Sequence, residues 1–505
     1  MAAIKSVFLA TSSTMLLVGG MVQAADLPSR KAAPVEYVRV CDAYGAGFYW
    51  IPGSDTCLKV GGRVRIDTWY TPARSAVQLR SAGGPAYTGA PGGGTASSTF
   101  TNGNGVDALG WYARGLVMMD ARTQSAWGTV QTVISLRFGA QTGLAQTAPF
   151  VGYNITPLAM AGATTPIIEA AYIRFAGFTF GQAASNFAFL PPATYHSLWA
   201  AGFPNGIRQI SYTAILGAGL SASIALENRG DLTTTGTANA LGFNPLSPTA
   251  ATATATSPQR LPALVGNLRV DQAWGSAMLS GVVLQNTANF ATPAVLAVTN
   301  GVGPLVTKTG WAVGAGVRIL LPMLATGDSV VGWVAYGVGS LDYTAMVGLN
   351  SNTSLASNYV GGFLRMDRNM TVYCVGAGCP AFGVEQAKVL NLAAIFTHYW
   401  TPSLRSNLQG TYIRLTPGNV TRNTDWTNGG LSAATGWSVQ GNVIWSPVRN
   451  FDIGAELSYA RLNQTLAGFA GGLPTPVPCT AAAPMCAASV SAGNWTGRMR
   501  VERTF

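Results

Sequence analysis

Apolar and polar residues alternate along the last twelve residues of the chain. From Asn494 to Phe505, the odd positions carry Trp, Gly, Met, Val, Arg and Phe, and the even positions carry Asn, Thr, Arg, Arg, Glu and Thr. A period of two predicts a β-strand with one apolar and one charged face. In a soluble sandwich the charged face would contact bulk water. In a membrane barrel the apolar face contacts lipid and the charged face lines the lumen.

The same alternation recurs far from the C-terminus. It is found again at 60–70, 130–138, 437–445 and 451–459. Trp445 and Phe451 flank the short turn between the last two of these segments, as aromatic residues do where a barrel meets the membrane interface. Repetition along the whole chain, with aromatic ends, favours strands that lie in lipid over the strands of a soluble protein.

Sixteen segments are predicted to be strands of this kind. They cover 58–71, 108–122, 126–140, 167–176, 178–187, 206–216, 219–229, 260–272, 276–289, 309–321, 328–344, 384–400, 403–415, 434–446, 451–463 and 493–505. Short and long connections alternate between them. An even number of strands, with the chain ending in the last one, predicts an all-β fold: a closed antiparallel transmembrane barrel with short periplasmic turns and long external loops.

The composition excludes the main alternatives to a β-rich membrane or secreted protein. Only 10% of the 505 residues are charged and 48% are hydrophobic, whereas a soluble domain carries about 25% charged residues. After residue 24 there is no run of the roughly 20 apolar residues that a transmembrane helix needs. Low charge together with 10% aromatic residues also excludes a disordered chain.

The first residues predict export. Lys5 precedes an apolar run over residues 7–21, and Val22-Gln23-Ala24 provides small residues at a cleavage site, which together are typical of a secretory signal peptide cut after Ala24. The predicted domains are a signal peptide at 1–24, a periplasmic N-terminal segment at 25–57 and a transmembrane barrel at 58–505.

The cysteines fall into three local pairs, which an exported chain is expected to oxidise to disulfides. The pairs are Cys41–Cys57, Cys374–Cys379 and Cys479–Cys486. The first is expected to fold the N-terminal segment against the periplasmic mouth, and the other two to restrain external loops. A zinc site is disfavoured because there is no Cys-x-x-Cys motif, and no metal or other cofactor is expected.

Four segments resemble a known family. Val38–Gly53 (VRVCDAYGAGFYWIPG) and Cys57–Gly62 (CLKVGG) closely resemble the start of alphaproteobacterial, rhizobial-type porins. Ala171–Gly181 (AYIRFAGFTFG) is similar to the hairpin that precedes the constriction loop of general porins, and Arg500–Phe505 to the family's final strand.

The resemblance implies an outer-membrane barrel of 16 strands, usually a homotrimer, surrounded by lipid and lipopolysaccharide. Its implied function is passive diffusion of ions and small hydrophilic solutes. It also implies that the third external loop, here about 187–206, folds into the barrel and narrows the pore.

Candidate pore residues come from the lumen face of the strands, from this loop, and, for Arg174 and Arg208, from positions that flank the hairpin and the loop. The candidates on the wall are Arg63, Arg65, Asp67, Arg114, Asp120, Arg122, Arg137, Glu169, Arg174 and Arg208, and those on the loop are Tyr195, His196 and Trp199. Arginines outnumber lysines 25 to 5, and the loop contains no Asp or Glu, although the family's constriction loops commonly carry carboxylates. Because rings of arginines favour anions, a weak anion preference is expected.

Other interpretations of the same residues remain open. The wall carboxylates could neutralise the arginines and leave the pore nearly unselective. The barrel could also be a channel selective for one solute class such as sugars, or an external adhesin or structural anchor. Nucleic-acid binding is disfavoured because the arginines are spaced singly along strands, and no nucleophile, histidine and acid stand together as an enzyme would require.

Overall fold

The computed structural model describes most of the predicted strands. The described residues are 39–72, 76–79, 98–101, 108–143, 167–189, 193–195, 206–228, 242–243, 254–256, 259–291, 305–344, 370–375, 381–416, 418, 433–466 and 488–505. They belong almost entirely to one compact unit that runs from Val40 to Phe505. Within these ranges, no helix has the length and apolar character needed to cross a membrane.

Sixteen strands of the described chain form a closed antiparallel barrel. They are β1 Thr56–Tyr70, β2 Leu109–Ser125, β3 Gly128–Gly143, β4 Ile167–Phe175, β5 Phe178–Ala183, β6 Ile207–Gly217, β7 Leu220–Glu227, β8 Ala263–Gln272, β9 Gly275–Ala291, β10 Leu305–Leu320, β11 Ser329–Val338, β12 Lys388–Thr401, β13 Leu404–Thr416, β14 Ala434–Val448, β15 Phe451–Leu466 and β16 Ala488–Thr504. Two short strands, Tyr49–Trp50 and Thr254–Thr256, complete this eighteen-stranded sheet.

The barrel closes because its last strand pairs with its first. Arg63 of β1 lies opposite Thr504 of β16, and Tyr70 lies opposite Gly497. All backbone donors and acceptors along this seam can therefore be satisfied without an open edge in lipid. The closed sixteen-stranded barrel predicted from the alternation is confirmed.

The two faces of each strand differ in chemistry as the alternation requires. On β16, Trp495 and Met499 point outward and are 50% and 58% exposed, whereas Thr496 and Arg498 are buried inside the barrel. Exposed tryptophans lie near both ends of the strands: Trp127, Trp274, Trp400 and Trp445 at one end, and Trp111, Trp311 and Trp495 at the other. Two aromatic girdles around an apolar band are typical of an outer-membrane barrel.

Tight turns join the strands at one end, which we call the short-turn end. Ala176 and Gly177, between β4 and β5, have φ values of 48° and 85°. Positive φ at both central residues defines the type I′ hairpin, whose twist matches that of paired strands. Short turns mark the periplasmic side of such barrels.

Two predicted strands end earlier than expected. The segment predicted over 328–344 is a strand only to Val338, after which Gly339 adopts a φ of 61° and Leu341–Thr344 forms one buried helical turn. The segment predicted over 178–187 ends at Ala183, because the chain there leaves the wall and enters the lumen.

The N-terminal segment is fastened to the short-turn end. Cys41 and Cys57 form a disulfide across a Cα–Cα distance of 6.0 Å, which confirms the first predicted pair. Both cysteines are buried with Phe48, against which Tyr44 and Trp50 pack. Cys379, Cys479 and Cys486 lie outside the described residues, so the other two disulfides stay predictions.

Candidate pore constriction

We call the chain between β5 and β6, residues 184–206, the constriction loop; its described residues 184–189 and 193–195 lie inside the barrel. Glu227 of β7 holds the start of this loop. Its carboxylate accepts hydrogen bonds from the Ser185 hydroxyl at 2.8 Å, the Asn186 backbone N–H at 2.7 Å and the Tyr343 hydroxyl at 3.1 Å. A carboxylate buried in this way requires such donors, and here most of them come from the loop.

Two phenylalanines then pack the loop against one side of the lumen. Phe187 meets Trp333 of β11 edge-on at a centroid distance of 5.9 Å, and Phe189 stacks on the same ring at 6.0 Å. The rest of this apolar cluster comes from inward positions of β6–β12, including Ile207, Met278, Val282 and Ile395. A β-carbon at Gly316 would collide with the Phe189 ring. The glycines of Gly314-x-Gly316 therefore make room for aromatic rings.

The described tip of the loop, Ala193–Tyr195, reaches the opposite side. The Thr194 hydroxyl donates to Oε1 of Gln409 on β13 at 2.8 Å, and Nδ2 of Asn442 on β14 donates to the Ala193 carbonyl at 3.2 Å. Glu456 of β15 accepts the backbone N–H of Tyr195. The loop therefore crosses the lumen from β5–β7 to β13–β15.

A group of ion pairs on β1–β4 and β16 meets the loop tip; we call it the basic wall. It consists of Arg63, Arg65, Arg114, Arg137, Arg498 and Arg500, with the carboxylates Asp67, Glu169 and Glu502. Six guanidinium groups and three carboxylates leave an excess of three positive charges. Glu456 lies beside the loop tip and reduces this excess to two.

Each carboxylate of the basic wall is shared by two arginines. Asp67, which is fully buried, accepts from Nε of Arg500 at 2.6 Å and from Nε of Arg498 at 3.2 Å. Glu502 is shared in the same way, because it lies 2.6 Å from Arg65 and 3.7 Å from Arg63. Glu169 forms ion pairs with both Arg114 and Arg137. Each carboxylate therefore has two arginine partners, and the guanidinium groups outnumber the carboxylates.

Tyr195 joins the loop to the basic wall. Its ring centroid lies 4.0 Å from the guanidinium carbon of Arg500, a cation–π contact, and its carbonyl accepts from Arg498 at 2.7 Å. The Tyr195 hydroxyl lies above Gly454, where a β-carbon would collide with it. This ring and the two arginines beside it therefore meet inside the lumen at the loop tip.

The structure brings together most of the candidate pore residues. Arg63, Arg65, Asp67, Arg114, Arg137, Glu169 and Tyr195 meet at the basic wall. Asp120, Arg122 and Arg174 form a separate group near the short-turn end. His196 and Trp199 lie outside the described residues.

Arg208 differs from its predicted place at the pore. On β6, Ile207 and Gln209 are buried inside the barrel, whereas Arg208 is exposed on the same outward phase as Ile210 and Tyr212. Arg208 was predicted to lie at the pore because it flanks the constriction loop, and this position does not decide which face of β6 the side chain occupies. Arg208 is thus corrected to an outward-facing residue.

Five functional residues were not among the candidates: Arg498, Arg500, Glu502, Glu227 and Glu456. The alternation over 494–505 already placed the first three on the charged face, but only the pairing of β16 with β1 brings them to Asp67. The alternation over 451–459 likewise places Glu456 on the polar face, but the sequence gives no partner for Glu456 or Glu227, because both accept hydrogen bonds from a distant loop.

The fold places the protein in the class of outer-membrane β-barrel proteins. These barrels are closed, carry an apolar outer band between two aromatic girdles, and have a polar interior. The arginine-rich wall and the loop in the lumen fit that interior. Comparison with known families gives the particular member. The chain belongs to the porin subfamily, whose family model matches residues 26–475. This confirms the resemblance seen in the sequence and places the protein in the outer membrane.

Individual relatives are more distant. The chain is 30% identical to porin Omp2b of Brucella suis over 235 residues, which are 45% of this chain and 52% of that protein. It is 32% identical to porin Omp2a of Brucella canis over 238 residues, 45% of this chain and 57% of that protein. The chain thus spans 52% and 57% of the lengths of these relatives.

Among solved structures, the barrel resembles that of the outer membrane channel DcaP of Acinetobacter baumannii. The TM-score is 0.54 at 17% sequence identity, covering 90% of this chain and 99% of that one. At this identity the likeness concerns the fold.

Proposed function

We propose that the protein is a diffusion porin: a water-filled channel through which ions and small hydrophilic solutes pass passively, with a weak preference for anions. The observation that carries the proposal is the basic wall, with its excess of guanidinium groups beside the loop tip. Rings of arginine in a pore attract anions, and guanidinium groups keep their charge at any relevant pH.

The two acids that contact the constriction loop do not cancel this positive charge. Glu227 and Glu456 lie on the wall strands β7 and β15, and each accepts hydrogen bonds from the constriction loop. The loop sequence itself contains no Asp or Glu. A transverse field between an acidic loop and a basic wall is therefore not expected, and the net positive charge should act on permeating ions.

The test is a reversal potential across a KCl gradient in a planar bilayer. The native channel is expected to prefer chloride weakly. Arg63→Gln should reduce that preference, because Glu502 keeps its ion pair with Arg65 at 2.6 Å and only the surplus charge is lost. Arg503→Gln is the matched control, since Arg503 lies on the outward face of β16 and its loss should change nothing. A clear cation preference of the native channel would overturn the proposal.

A sugar-selective channel would be favoured by aromatic rings exposed along the lumen. Among the inward-facing rings on the described strands, Trp69, Tyr112 and Trp333 are buried, and the half-buried ring of Tyr172 lies under the Arg174 guanidinium. They serve as packing surface, so a general diffusion channel is the better proposal.

We further propose a homotrimer in the outer membrane, in contact with lipid and lipopolysaccharide, formed from a chain whose signal peptide is removed after Ala24. Gly115 supports close approach between barrels, because no atom lies within 4 Å of the β-carbon position on this outward-phase residue. Gly62, a second small residue on the outer face, is instead covered by the Phe505 ring. Crosslinking in detergent and in lipid tests the trimer, and N-terminal sequencing tests the cleavage.

A further inference from the structure

A second charged group lies at the short-turn end of the lumen; we call it the mouth cluster. It consists of Lys59, Asp120, Arg122, Gln131 and Arg174. Three of these residues are aligned across neighbouring strands. Arg122 of β2 lies opposite Gln131 of β3, and Gln131 lies opposite Arg174 of β4. Arg122 and Arg114 of the basic wall are eight positions apart on β2, or about 27 Å along a strand.

The mouth cluster borders a cavity of about 560 Å³. Its polar lining residues include Arg122, Gln131 and Arg174 of β2–β4, Asn186 at the start of the constriction loop, and Ser211 and Thr213 of β6. Guanidinium, carboxamide and hydroxyl groups therefore converge on one space. The amide nitrogens of Asn186 and Gln131 already donate to Gln209, Glu227 and Asp120, so these two residues offer their amide oxygens as acceptors, and Arg174 offers its N–H groups as donors.

Positive charge exceeds negative charge in the mouth cluster. Asp120 is bound by Arg122 at 2.8 and 3.1 Å and by Nε2 of Gln131 at 3.0 Å. Within the described part of the chain, neither Arg174 nor Lys59 forms an ion pair: the Arg174 guanidinium lies 4.7 Å from the centroid of Tyr172, and Nζ of Lys59 lies 5.8 Å from that of Phe48. Three cations and one carboxylate leave an excess of two positive charges.

The disulfide-closed segment holds one side of the cavity in place. The Arg122 guanidinium carbon lies 4.9 Å from the Phe48 ring centroid and 5.7 Å from that of Tyr44, which also lines the cavity. Both rings belong to the segment tied by Cys41–Cys57. Arg122 is thus fixed between Asp120 and two rings, and such preorganisation lowers the entropic cost of binding.

We propose that this cavity is a binding site for small hydroxylated oxyanions, carboxylate or phosphate, at the periplasmic mouth of the channel. Arg174 provides a planar guanidinium without a carboxylate partner among the described residues, the group that binds oxyanions in two-pronged geometry. The amide groups of Gln131 and Asn186 and the hydroxyl groups of Ser211 and Thr213 line the same cavity. They can form hydrogen bonds with the hydroxyl groups of the bound oxyanion. The proposal needs the water-filled channel proposed above, but not the anion preference of the constriction.

The test is calorimetric titration of the full-length protein in detergent with two probes, inorganic phosphate and gluconate, at constant ionic strength. Arg174→Gln should weaken binding by about tenfold, the loss of one hydrogen-bonded charge. The matched control is Arg318→Gln. Arg318 is exposed on the lumen phase of β10 near the same end of the barrel, opposite Ser276 and Val331, and outside the cavity lining.

The two variants distinguish a specific binding site from a general effect of charge. Weakening by Arg174→Gln alone supports the site, and the probe that binds more tightly identifies the head group. Equal weakening by both variants would show a general charge effect and would overturn the proposal, as would no binding of either probe to the native protein. Heat-modifiable mobility in gels verifies that each variant is folded, and Arg174→Lys should retain part of the affinity. Since binding is measured at equilibrium, a negative result leaves the reversal-potential test of the proposed function intact.

Discussion

At the scale of single residues, Tyr195 shows how one ring can set the constriction. It contacts Arg500 and covers Gly454, so the space that it occupies would otherwise belong to the pore. Its neighbours Pro191, Pro192 and Ala193 carry no charge. The sequence could place Tyr195 on the loop, but not against a particular arginine, because that contact depends on how the loop crosses the lumen.

Removing this ring should widen the channel. Tyr195→Ala is expected to raise single-channel conductance and to strengthen the anion preference, because the Arg500 guanidinium loses the ring that covers it. Tyr336→Ala is the control, since Tyr336 faces outward on β11 and its loss should leave conductance unchanged. An unchanged conductance in Tyr195→Ala would show that the constriction lies elsewhere.

His398 illustrates a residue whose partner only the structure supplies. Its Nδ1 lies 2.6 Å from Oδ2 of Asp328, a residue of the short turn before β11, and the Tyr399 backbone N–H donates to Oδ1 at 2.8 Å. Burial raises the pKa of the Asp328 carboxyl, but these two hydrogen bonds lower it by more, so that the pKa lies below its ordinary value. Seventy positions separate the pair in sequence.

This lowered pKa predicts a pH dependence of stability. The ionised carboxylate stabilises the folded state above the ordinary Asp pKa of about 4, and the contribution is lost as the pH falls through the lowered value. Asp328→Asn should therefore lower the unfolding midpoint at pH 7, and the difference from the native protein should shrink below about pH 4. Thermal gel-shift curves at several pH values measure it, and a difference that grows with acidity would contradict the assignment.

At the scale of elements, the strands were predictable and their interruptions were not. A period of two identifies each wall strand because one face meets lipid and the other the lumen. Ala-Gly at 176–177 lacks the Asn-Gly or Asp-Gly signal of a type I′ turn, yet both residues have positive φ. Leu341, Asp342 and Tyr343 continue the alternation past Val338, but they form a helical turn because Gly339 breaks the strand.

The start of the constriction loop should depend on its buried acid. Glu227→Ala would leave the Ser185, Asn186 and Tyr343 donors without their acceptor, each at a cost of about 1–3 kcal/mol. We expect noisy, fluctuating single-channel currents as the loop start detaches. Glu227→Gln keeps one acceptor oxygen, so its currents should fluctuate less than those of Glu227→Ala. Equally quiet currents in both variants would mean that the apolar cluster around Phe187 is sufficient to hold the loop.

At the scale of the whole molecule, closure of the barrel depends on the fit between Gly62 and Phe505. Their backbones exchange hydrogen bonds at 2.9 and 3.0 Å, and the Phe505 ring covers Gly62 so closely that a β-carbon there would meet the ring at 2.6 Å and the Leu116 carbonyl at 2.7 Å. The sequence showed a C-terminal aromatic residue and a glycine pair, but not that one packs on the other.

Gly62→Ala should therefore destabilise the closed barrel. The Leu116 carbonyl belongs to the backbone and cannot turn aside as a side chain could, so a strand must shift. Gly497→Ala is the matched control, because Gly497 lies on the outward phase of β16 opposite Tyr70 and no atom lies within 4 Å of its β-carbon position. The folded fraction recovered after refolding, and its thermal midpoint, should fall in the first variant only; similar losses in both would point to a general intolerance of side chains on this face.

The seam between β1 and β16 also sets the order of events during biogenesis. The ion pair between Arg65 and Glu502 joins positions 437 residues apart, so it cannot form until the C-terminal strand has been delivered to the same compartment. A chain that stopped before residue 488 would lack β16 and would present two unpaired strand edges, the geometry that invites aggregation. Secretion of the chain must therefore be complete before the barrel can close and insert. Between these two steps the chain exposes unpaired strand edges, and this is when it most needs a chaperone.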